Sequence, residues 1–434
     1  MSLFELIYKW RYYNIDTIVK EIEMLRSLPK EDFLQWQEKK KWEIAQYLYD
    51  NNTFYRDYVG DVFPEKWEEL PIITKSDLQI DLDRLISKPY NIKNLYINNT
   101  SGSSGHPLTF TKSYYTQARV WAYKKYFLAQ HGLTLSSKEA RFYGMPKSFK
   151  GKIIQKTKDF ILNRNRFVVF EFSDEIFEEW IKRFKRIAFE YIYGYTSAIV
   201  LFSRYLIKKR LILKEICPTL KLVIVTSETC SVEDKAIIKK ATGVKVRNEY
   251  GSAEAGIFGF ECDRGHIHLL EENLYFETND RNELLVTDLS NKSFPMIRYN
   301  IGDIASLENQ KCTCGNRNRY ISKLEGRTND VALLPSGKQS PGLTFYYVSR
   351  ALLESSGVLK EFIIRQTALD TFEFDVVSDK KISQKDIEEL EYSVAEYLEP
   401  GLKIIVNQVD KINRPSSGKI KHFYSEINRK LDSK

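Results

Sequence analysis

Cysteine is scarce in this chain, with five in 434 residues. That density excludes a disulfide-built scaffold and suits a reducing compartment. Proline and glycine are also sparse, at 12 and 20. They leave little room for long flexible linkers and exclude a collagen-like or low-complexity chain. Long hydrophobic runs are missing. The most apolar stretch, Tyr191–Ile207, is interrupted by Gly194 and Arg204. It falls short of the ~20 apolar residues a membrane-spanning helix needs. The opening MSLFELIYKWRYYN carries neither the apolar core nor the cleavage site of a secretory signal. The expectation is a soluble, cytoplasmic protein.

What is present is ordinary globular material. Hydrophobic residues make up 43% and charged residues 29%. At ~100–200 residues per domain, two or three domains are expected. Lys and Arg number 66 against 58 Asp and Glu, for a net charge of +8. This mild excess favours anionic partners such as nucleotides, coenzyme A or phospholipid headgroups. Nucleic acid fits poorly, because no recognised binding module is present.

Helical spacing of Leu, Ile and aromatic residues runs from Phe4 to Val59 and predicts a helical cap. Ser76 in LPIITKSDL (Leu70–Leu78) is a candidate helix cap. Asn94–Ile97 and LTFTKS read as strands around a small polar loop, with a helix from Ser113 that stops near Gly132. Further on, the pattern predicts a helix over Ala188–Ile192, a turn at Gly194 and a helix over Ile199–Ile216. The strand LKLVIVTSE, the helix SVEDKAIIKKATG and the strand VKVRNEYGSAE follow. This alternation indicates an α/β domain with a largely parallel sheet. After Gly265 short strands suggest an antiparallel subdomain, barrel-like or a twisted sheet. LEGRTND (Leu324–Asp330) is a hinge candidate. Beyond it strand, helix (Leu343–Ser355), two strands, helix (Gln384–Leu398) and strand form a compact α+β unit. The expected division is 1–327, an N-terminal domain with mixed sheets and a helical cap, and 328–434, a small mobile C-terminal domain.

Five short motifs could carry chemistry. Thr100-Ser101-Gly102-Ser103-Ser104-Gly105 could converge backbone N–H groups and hydroxyls on a phosphate. A Ser/Gly surface turn would read the same way. Tyr250-Gly251-Ser252-Ala253-Glu254 follows a strand, where a carboxylate can hold magnesium; a turn with a solvated Glu is the alternative. Arg298-Tyr299-Asn300-Ile301-Gly302-Asp303 places an Asp after a Gly, suited to ribose hydroxyls or to closing a hairpin. Gly326-Arg327 stands at the expected domain junction, and Lys419 sits on a Gly turn near the C-terminus.

In this order and spacing the five resemble the adenylate-forming superfamily of acyl-CoA ligases, peptide-synthetase adenylation domains and luciferases. The closer resemblance is to the phenylacetate–CoA ligase branch, including similar proteins of capsular polysaccharide clusters. LPIITKSDL, Tyr193-Gly194-Tyr195 and Ser227-Glu228 share it, so the likeness runs from about Trp67 to Lys421. The loop has Thr-Ser-Gly where phenylacetate ligases often have Thr-Gly-Gly, which favours the capsule-type relatives. The resemblance implies an ATP-dependent ligase that forms an acyl-adenylate, releases pyrophosphate and passes the acyl group to coenzyme A. The alternatives are transfer to an amine in surface polysaccharide synthesis, or a nucleotide-binding scaffold without turnover. By the same resemblance Thr100–Gly105 would cradle the β- and γ-phosphates. Glu254 would hold magnesium and Ser252 would touch the α-phosphate. Ser227 and Glu228 would flank the adenine, with Tyr250 stacked near it and Gly251 beside it. Asp303 would take the ribose hydroxyls with Arg327 beside it, and Lys419 would bridge the carboxylate and the α-phosphate. Pocket residues for the acid are expected in Tyr143–Met145, Tyr193–Thr196 and Asn248–Gly251. A small-molecule carboxylate and an acceptor thiol or amine are the expected partners, and a homodimer is compatible with the chain.

Cys262, His268, Cys312 and Cys314 make a separate Cys3His set of the kind structural zinc favours. His266 is an alternative ligand, although His268 better matches the spacing in similar proteins. Three buried thiols and a strand His would leave the same pattern. Lys147–Arg166 is rich in Lys and Arg, and reads as a solvated basic loop or an electropositive flank for an anionic ligand.

Overall fold

The structure is a computed structural model, and it describes residues 3–11, 13–99, 108–145, 149–169, 173–327, 331–341, 359–378, 380–412 and 423–427. The loop Thr100–Gly105, the hinge residues Asn329 and Asp330, the expected helix Leu343–Ser355 and the segment holding Lys419 lie outside these residues. The chain divides into two compact units. One comprises 1–280, 284–301 and 306–322; the other comprises 281–283, 302–305 and 323–434.

The first unit begins with α1 (Leu3–Arg11), α2 (Ile15–Ser27), α3 (Lys30–Asn51) and α4 (Thr53–Val59). In α2, Ile15, Ile18, Ile22 and Leu25 are buried, and the Asn14 side chain accepts from the N–H of Asp16 to cap the first turn. Ser76 starts no helix. Asp77 instead accepts from the N–H and hydroxyl of Thr74, closing a local turn. A two-stranded hairpin follows, β1 (Leu95–Asn99) with β2 (Thr109–Ser113). Ser113 then caps α5 (Tyr114–Ala129) through the N–H of Thr116.

The main sheet has eleven strands. They are β3 (Glu139–Tyr143), β4 (Arg164–Val168), β5 (Tyr191–Tyr195), β6 (Leu222–Thr226), β7 (Lys245–Ser252), β8 (Gly256–Glu261), β9 (Ile267–Leu269), β10 (Leu274–Thr278), β11 (Glu283–Asp288), β12 (Tyr299–Glu308) and β13 (Tyr320–Arg327). Their order is β10-β11-β12-β13-β9-β8-β7-β6-β5-β3-β4. Strands β4, β3, β5, β6 and β7 are parallel. The direction reverses at β8, before Gly265, and β7, β8 and β9 are antiparallel neighbours. The antiparallel strands therefore continue the parallel sheet instead of building a separate barrel.

Helices cover both faces of the parallel part, as right-handed crossovers require. On one face Phe177, Trp180, Ile181 and Phe184 of α6 (Asp174–Arg186) pack with Ile199 and Phe202 of α7 (Thr196–Lys208) and Ile238 of α8 (Val232–Thr242). On the other, Ala118, Ala122 and Phe127 of α5 and Ile18 and Ile22 of α2 meet Tyr191, Tyr193, Leu222 and Ile224. Helix α8 has a reciprocal Ser231–Asp234 capping box and ends at Gly243 with φ 72°.

Three expectations are corrected here. Ala188–Ile192 is not a helix, and Tyr193-Gly194-Tyr195 is not a turn, because both fall around β5. Tyr191 and Tyr193 face one core while Ile192 faces the other. Gly194 lies so close to β3 that a Cβ would sit 2.4 Å from the Phe142 carbonyl oxygen. The helix expected over Ile199–Ile216 is broken into α7 and a short turn of helix at Leu213–Ile216, with Arg210 between them at φ 57°.

In the second unit a four-stranded sheet pairs Leu359–Ala368 with Thr371–Ser378, flanked by Lys403–Gln408 and Phe423–Ser425. Helix Gln384–Tyr397 buries Leu390 and Val394 against Phe362, Ile364, Phe372, Phe374 and Val376. No helix among the described residues is long and apolar enough to cross a membrane.

Candidate active site and metal centre

Parallel sheets present ligands at the carboxyl ends of their strands, where N–H groups and helix N-termini collect. Tyr143 closes β3, Ser227 follows β6, and the Tyr250–Glu254 motif ends β7. The last of these forms the hairpin turn into β8. Gly251 is required there, since a Cβ would stand 2.3 Å from the Gly256 carbonyl oxygen. Ser252 Oγ accepts from the N–H of Ala255 at 3.1 Å, which tightens the turn. Tyr250 packs edge-on to Phe258 with centroids 5.2 Å apart.

Glu254 is buried at the tip of this turn. Its Oε1 accepts from the Tyr299 hydroxyl at 3.1 Å. Residues on either side of Tyr299 anchor it to the LPIITKSDL segment. The Asn300 N–H donates to the Ile73 carbonyl at 2.8 Å. Arg298 Nη1 donates to the carbonyls of Glu68 and Leu70 at 2.7 and 2.5 Å. Two motifs far apart in sequence thus meet at one carboxylate, and a third anchors one of them. A hard oxygen ligand next to a phenol hydroxyl is a fit for magnesium.

Lys112 was not singled out by sequence. It lies on β2, is buried, and donates from Nζ to the Ala253 carbonyl at 3.1 Å. Burial lowers its pKa to about 8, against the opposing pull of Asp288 and Glu254. Only the placement of β2 against the β7–β8 turn reveals it.

Ser227 has φ 72°, a left-handed backbone that exposes it between β6 and α8. The neighbouring Glu228 carboxylate accepts from the N–H and hydroxyl of Ser197 at 2.7 and 3.1 Å. A carboxylate set against the first turn of α7 suits the positive end of that helix. Asp303 lies in β12 just after Gly302, whose φ is 77°, in the segment that groups with the second unit. Gly326 and Arg327 end β13.

The tyrosines expected to line the acid pocket have charged neighbours. Arg141 lies 4.3 Å from the Tyr143 ring centroid and 4.8 Å from that of Tyr193. Fully buried Glu139 meets Arg141, Arg164 and Lys124 at 2.6, 3.2 and 3.5 Å, and accepts from the Tyr191 hydroxyl at 2.6 Å. Burial works to raise its pKa and is outweighed by Arg164, Lys124 and Arg141, which hold it well below the usual carboxylate range. The Tyr193 hydroxyl donates to Glu249 Oε1.

The Cys3His set converges. Ligand atoms of Cys262, His268, Cys312 and Cys314 all lie within 4.8 Å of one another. Cys262 and Cys312 Sγ are 4.0 Å apart, and Cys314 Sγ is 3.2 Å from His268 Nε2. A tetrahedral zinc with Zn–S of about 2.3 Å spaces its thiolates about 3.8 Å apart. Two tight turns build the set: Gly265 donates to the Cys262 carbonyl and Gly315 to that of Cys312. The N–H groups of Arg264 and Asn316 point at the sulfurs of Cys262 and Cys314, each at 3.4 Å. His268 Nδ1 stands 2.9 Å from the Asn318 carbonyl. A carbonyl only accepts, so Nδ1 carries the hydrogen and Nε2 turns its lone pair toward Cys314. His266 stacks on Tyr320 with centroids 4.2 Å apart and contacts Cys312 from outside the set.

No family model matches the chain. Protein CapK of Staphylococcus aureus is 27% identical over 326 residues, covering 72% of this chain and 71% of that protein. The phenylacetate-coenzyme A ligase of Thermus thermophilus is 28% identical over 113 residues, covering 22% of this chain and 25% of that enzyme. Among solved structures, 2-hydroxyisobutyryl-CoA ligase in its postadenylation state matches with a TM-score of 0.69 at 17% identity, over 94% of each chain. ATP-bound MatB from Rhodopseudomonas palustris matches with a TM-score of 0.50 at 15% identity, over 80% of this chain and 69% of that one. The fold is that of the adenylate-forming ligases, and the sequence sets the chain beside CapK and phenylacetate-coenzyme A ligase.

Proposed function

We propose that the protein is an AMP-forming ligase that activates a carboxylic acid with ATP and hands the acyl group to coenzyme A. The observation that carries this reading is the meeting of Glu254, Tyr299 and Lys112 at the carboxyl end of β7. It supplies a metal-ligating carboxylate, a hydroxyl to orient it and a buried cation where phosphates would lie. A carboxylate oxygen of the substrate attacks the α-phosphorus, and the bond to pyrophosphate breaks. The acceptor thiol then attacks the acyl carbonyl, loses its proton to solvent, and AMP leaves. Negative charge grows on the phosphates in the first step, so fixed cations and N–H donors accelerate it.

In this reading Glu254 would hold magnesium, which neutralises phosphate charge when bound. Ser252 would face the α-phosphate, and Ser227, Glu228, Tyr250 and Gly251 would border the adenine. Asp303 and Arg327 would take the ribose, Thr100–Gly105 the β- and γ-phosphates, and Lys419 the α-phosphate. Cys262, His268, Cys312 and Cys314 would hold one structural zinc, closed to solvent chemistry by four protein ligands. An amine in place of the thiol is the alternative acceptor. ATP–pyrophosphate exchange with a library of acids tests the first half-reaction. Thioester against amide product from coenzyme A and amine mixtures tests the second. No exchange with any acid overturns the ligase reading.

A further inference from the structure

We infer that the acid this enzyme activates carries a hydrogen-bond donor, a hydroxyl or an ammonium group, that docks on the free oxygen of Glu249. The inference rests on the adenylation reading and names its substrate class.

Glu249 sits on β7 one residue before Tyr250 and is 7% exposed. Side chains alternate along a strand, so Glu249 shares a face with Gly251 and points away from Tyr250. That face is the one bearing Tyr193 and Tyr143, because the Tyr193 hydroxyl donates to Glu249 Oε1 and Tyr143 stacks on Tyr193 at 5.9 Å. Burial raises the Tyr143 pKa, and Arg141 and then the Ser227 side chain oppose the rise. Glu249 is therefore joined through two tyrosines to the exposed loop after β6, at the strand ends where ligands enter.

Its second oxygen, Oε2, is buried and has no hydrogen-bond partner among the described residues. An orphaned carboxylate oxygen is costly in a protein interior, and natural structures satisfy such atoms with water or a ligand. Nearby cations do not satisfy it. The guanidinium of Arg141 is held by Glu139 and lies against the rings of Tyr143 and Tyr193. The ammonium of Lys124 lies 4.1 Å above the Tyr193 ring and 3.5 Å from Glu139. Glu139 takes a third cation, Arg164, from β4. Burial raises the Glu249 pKa, while Lys124 and the Tyr193 hydroxyl oppose the shift. An unsubstituted phenyl or alkyl chain against this wall would leave Oε2 unpaired, whereas a hydroxyl or ammonium would complete it.

The test is ATP–pyrophosphate exchange with matched acids: propionate, lactate and alanine; butyrate and 3-hydroxybutyrate; phenylacetate and 4-hydroxyphenylacetate. In at least one set the member bearing a donor should exchange faster by at least about tenfold in kcat/KM, since a site with a buried acceptor rejects an analogue that leaves it empty. The lactate and alanine arms separate a hydroxyl from an ammonium. Glu249→Gln keeps the shape and removes the charge, and Glu249→Leu removes the acceptor. The preference should shrink in the first and vanish in the second. Exchange with unsubstituted acids equal to or faster than with every donor-bearing partner overturns this inference while leaving the ligase reading standing. Silence with every acid overturns the ligase reading itself.

Discussion

The Lys112 ammonium donates to the carbonyl of Ala253, one residue before Glu254, at 3.1 Å. This contact pins the β7–β8 turn to the hairpin that runs into α5. Lys112→Met keeps the stem and removes the charge. The turn should loosen, and Glu254 should lose its register with incoming phosphates. A misplacement of about 1 Å can cost about a hundredfold in rate. We expect kcat/KM for ATP to fall by about tenfold to a hundredfold, with a raised magnesium requirement. Pyrophosphate exchange at several magnesium concentrations checks this. A variant with lower stability but unchanged magnesium dependence would show Lys112 to be packing alone.

Metal analysis of protein purified without chelator should give about one zinc per chain. Cys312→Ser should lose the metal and much of the thermal stability, since binding energy at such a site is folding energy. His266→Gln should keep the metal, because His266 lies outside the four converging ligand atoms. Equal metal loss in both variants would reassign the imidazole ligand.

Lys419→Ala should cripple adenylation and spare transfer from preformed acyl-adenylate. Removing one charge contact made in the transition state costs about a hundredfold to a thousandfold. Single-turnover assays of each half-reaction separate the two effects. Equal losses in both would deny Lys419 its proposed role.

His131 provides a pH-dependent element of stability. Its ring stands edge-on to Phe127 at 4.9 Å, and burial first, then Arg247 and Lys245, lower its pKa from 6.5 to about 4, with Asp263 opposing. Between those values the unfolded chain binds a proton that the folded chain does not. Stability therefore falls as pH drops from 6.5 toward 4. His131→Gln should lessen the fall, which urea unfolding midpoints at pH 5 and pH 7 would reveal. Identical losses in variant and parent would place the acid sensitivity elsewhere.

Local signals were the legible ones. Ser113 and Ser231 cap helices where their side chains reach the N3 amide, and Gly243 ends one because it alone tolerates that backbone cheaply. Cys262, His268, Cys312 and Cys314 were legible because thiol and imidazole are unusual in this chain. Strand β5 was not. Its Tyr-Ile-Tyr-Gly-Tyr run is buried on both faces, so it shows no polar alternation, and its glycine imitates a turn. Lys112 and Glu139 were hidden for another reason. A buried charge is identified by its partners, and those lie on other strands and helices.

Arg317, between Cys314 and β13, reaches the last carbonyls of α2, those of Leu25 and Leu28, across sequence separations of 292 and 289 residues. On a ribosome the chain emerges from its N-terminus, so α2 is made long before the side chain that closes its C-terminal end. Its terminal carbonyls must stay with water or a temporary holder until the far arm arrives. Closing so large a loop carries an entropic delay. The closing of the C-terminal end of α2 thereby waits on the synthesis of a residue most of the chain away.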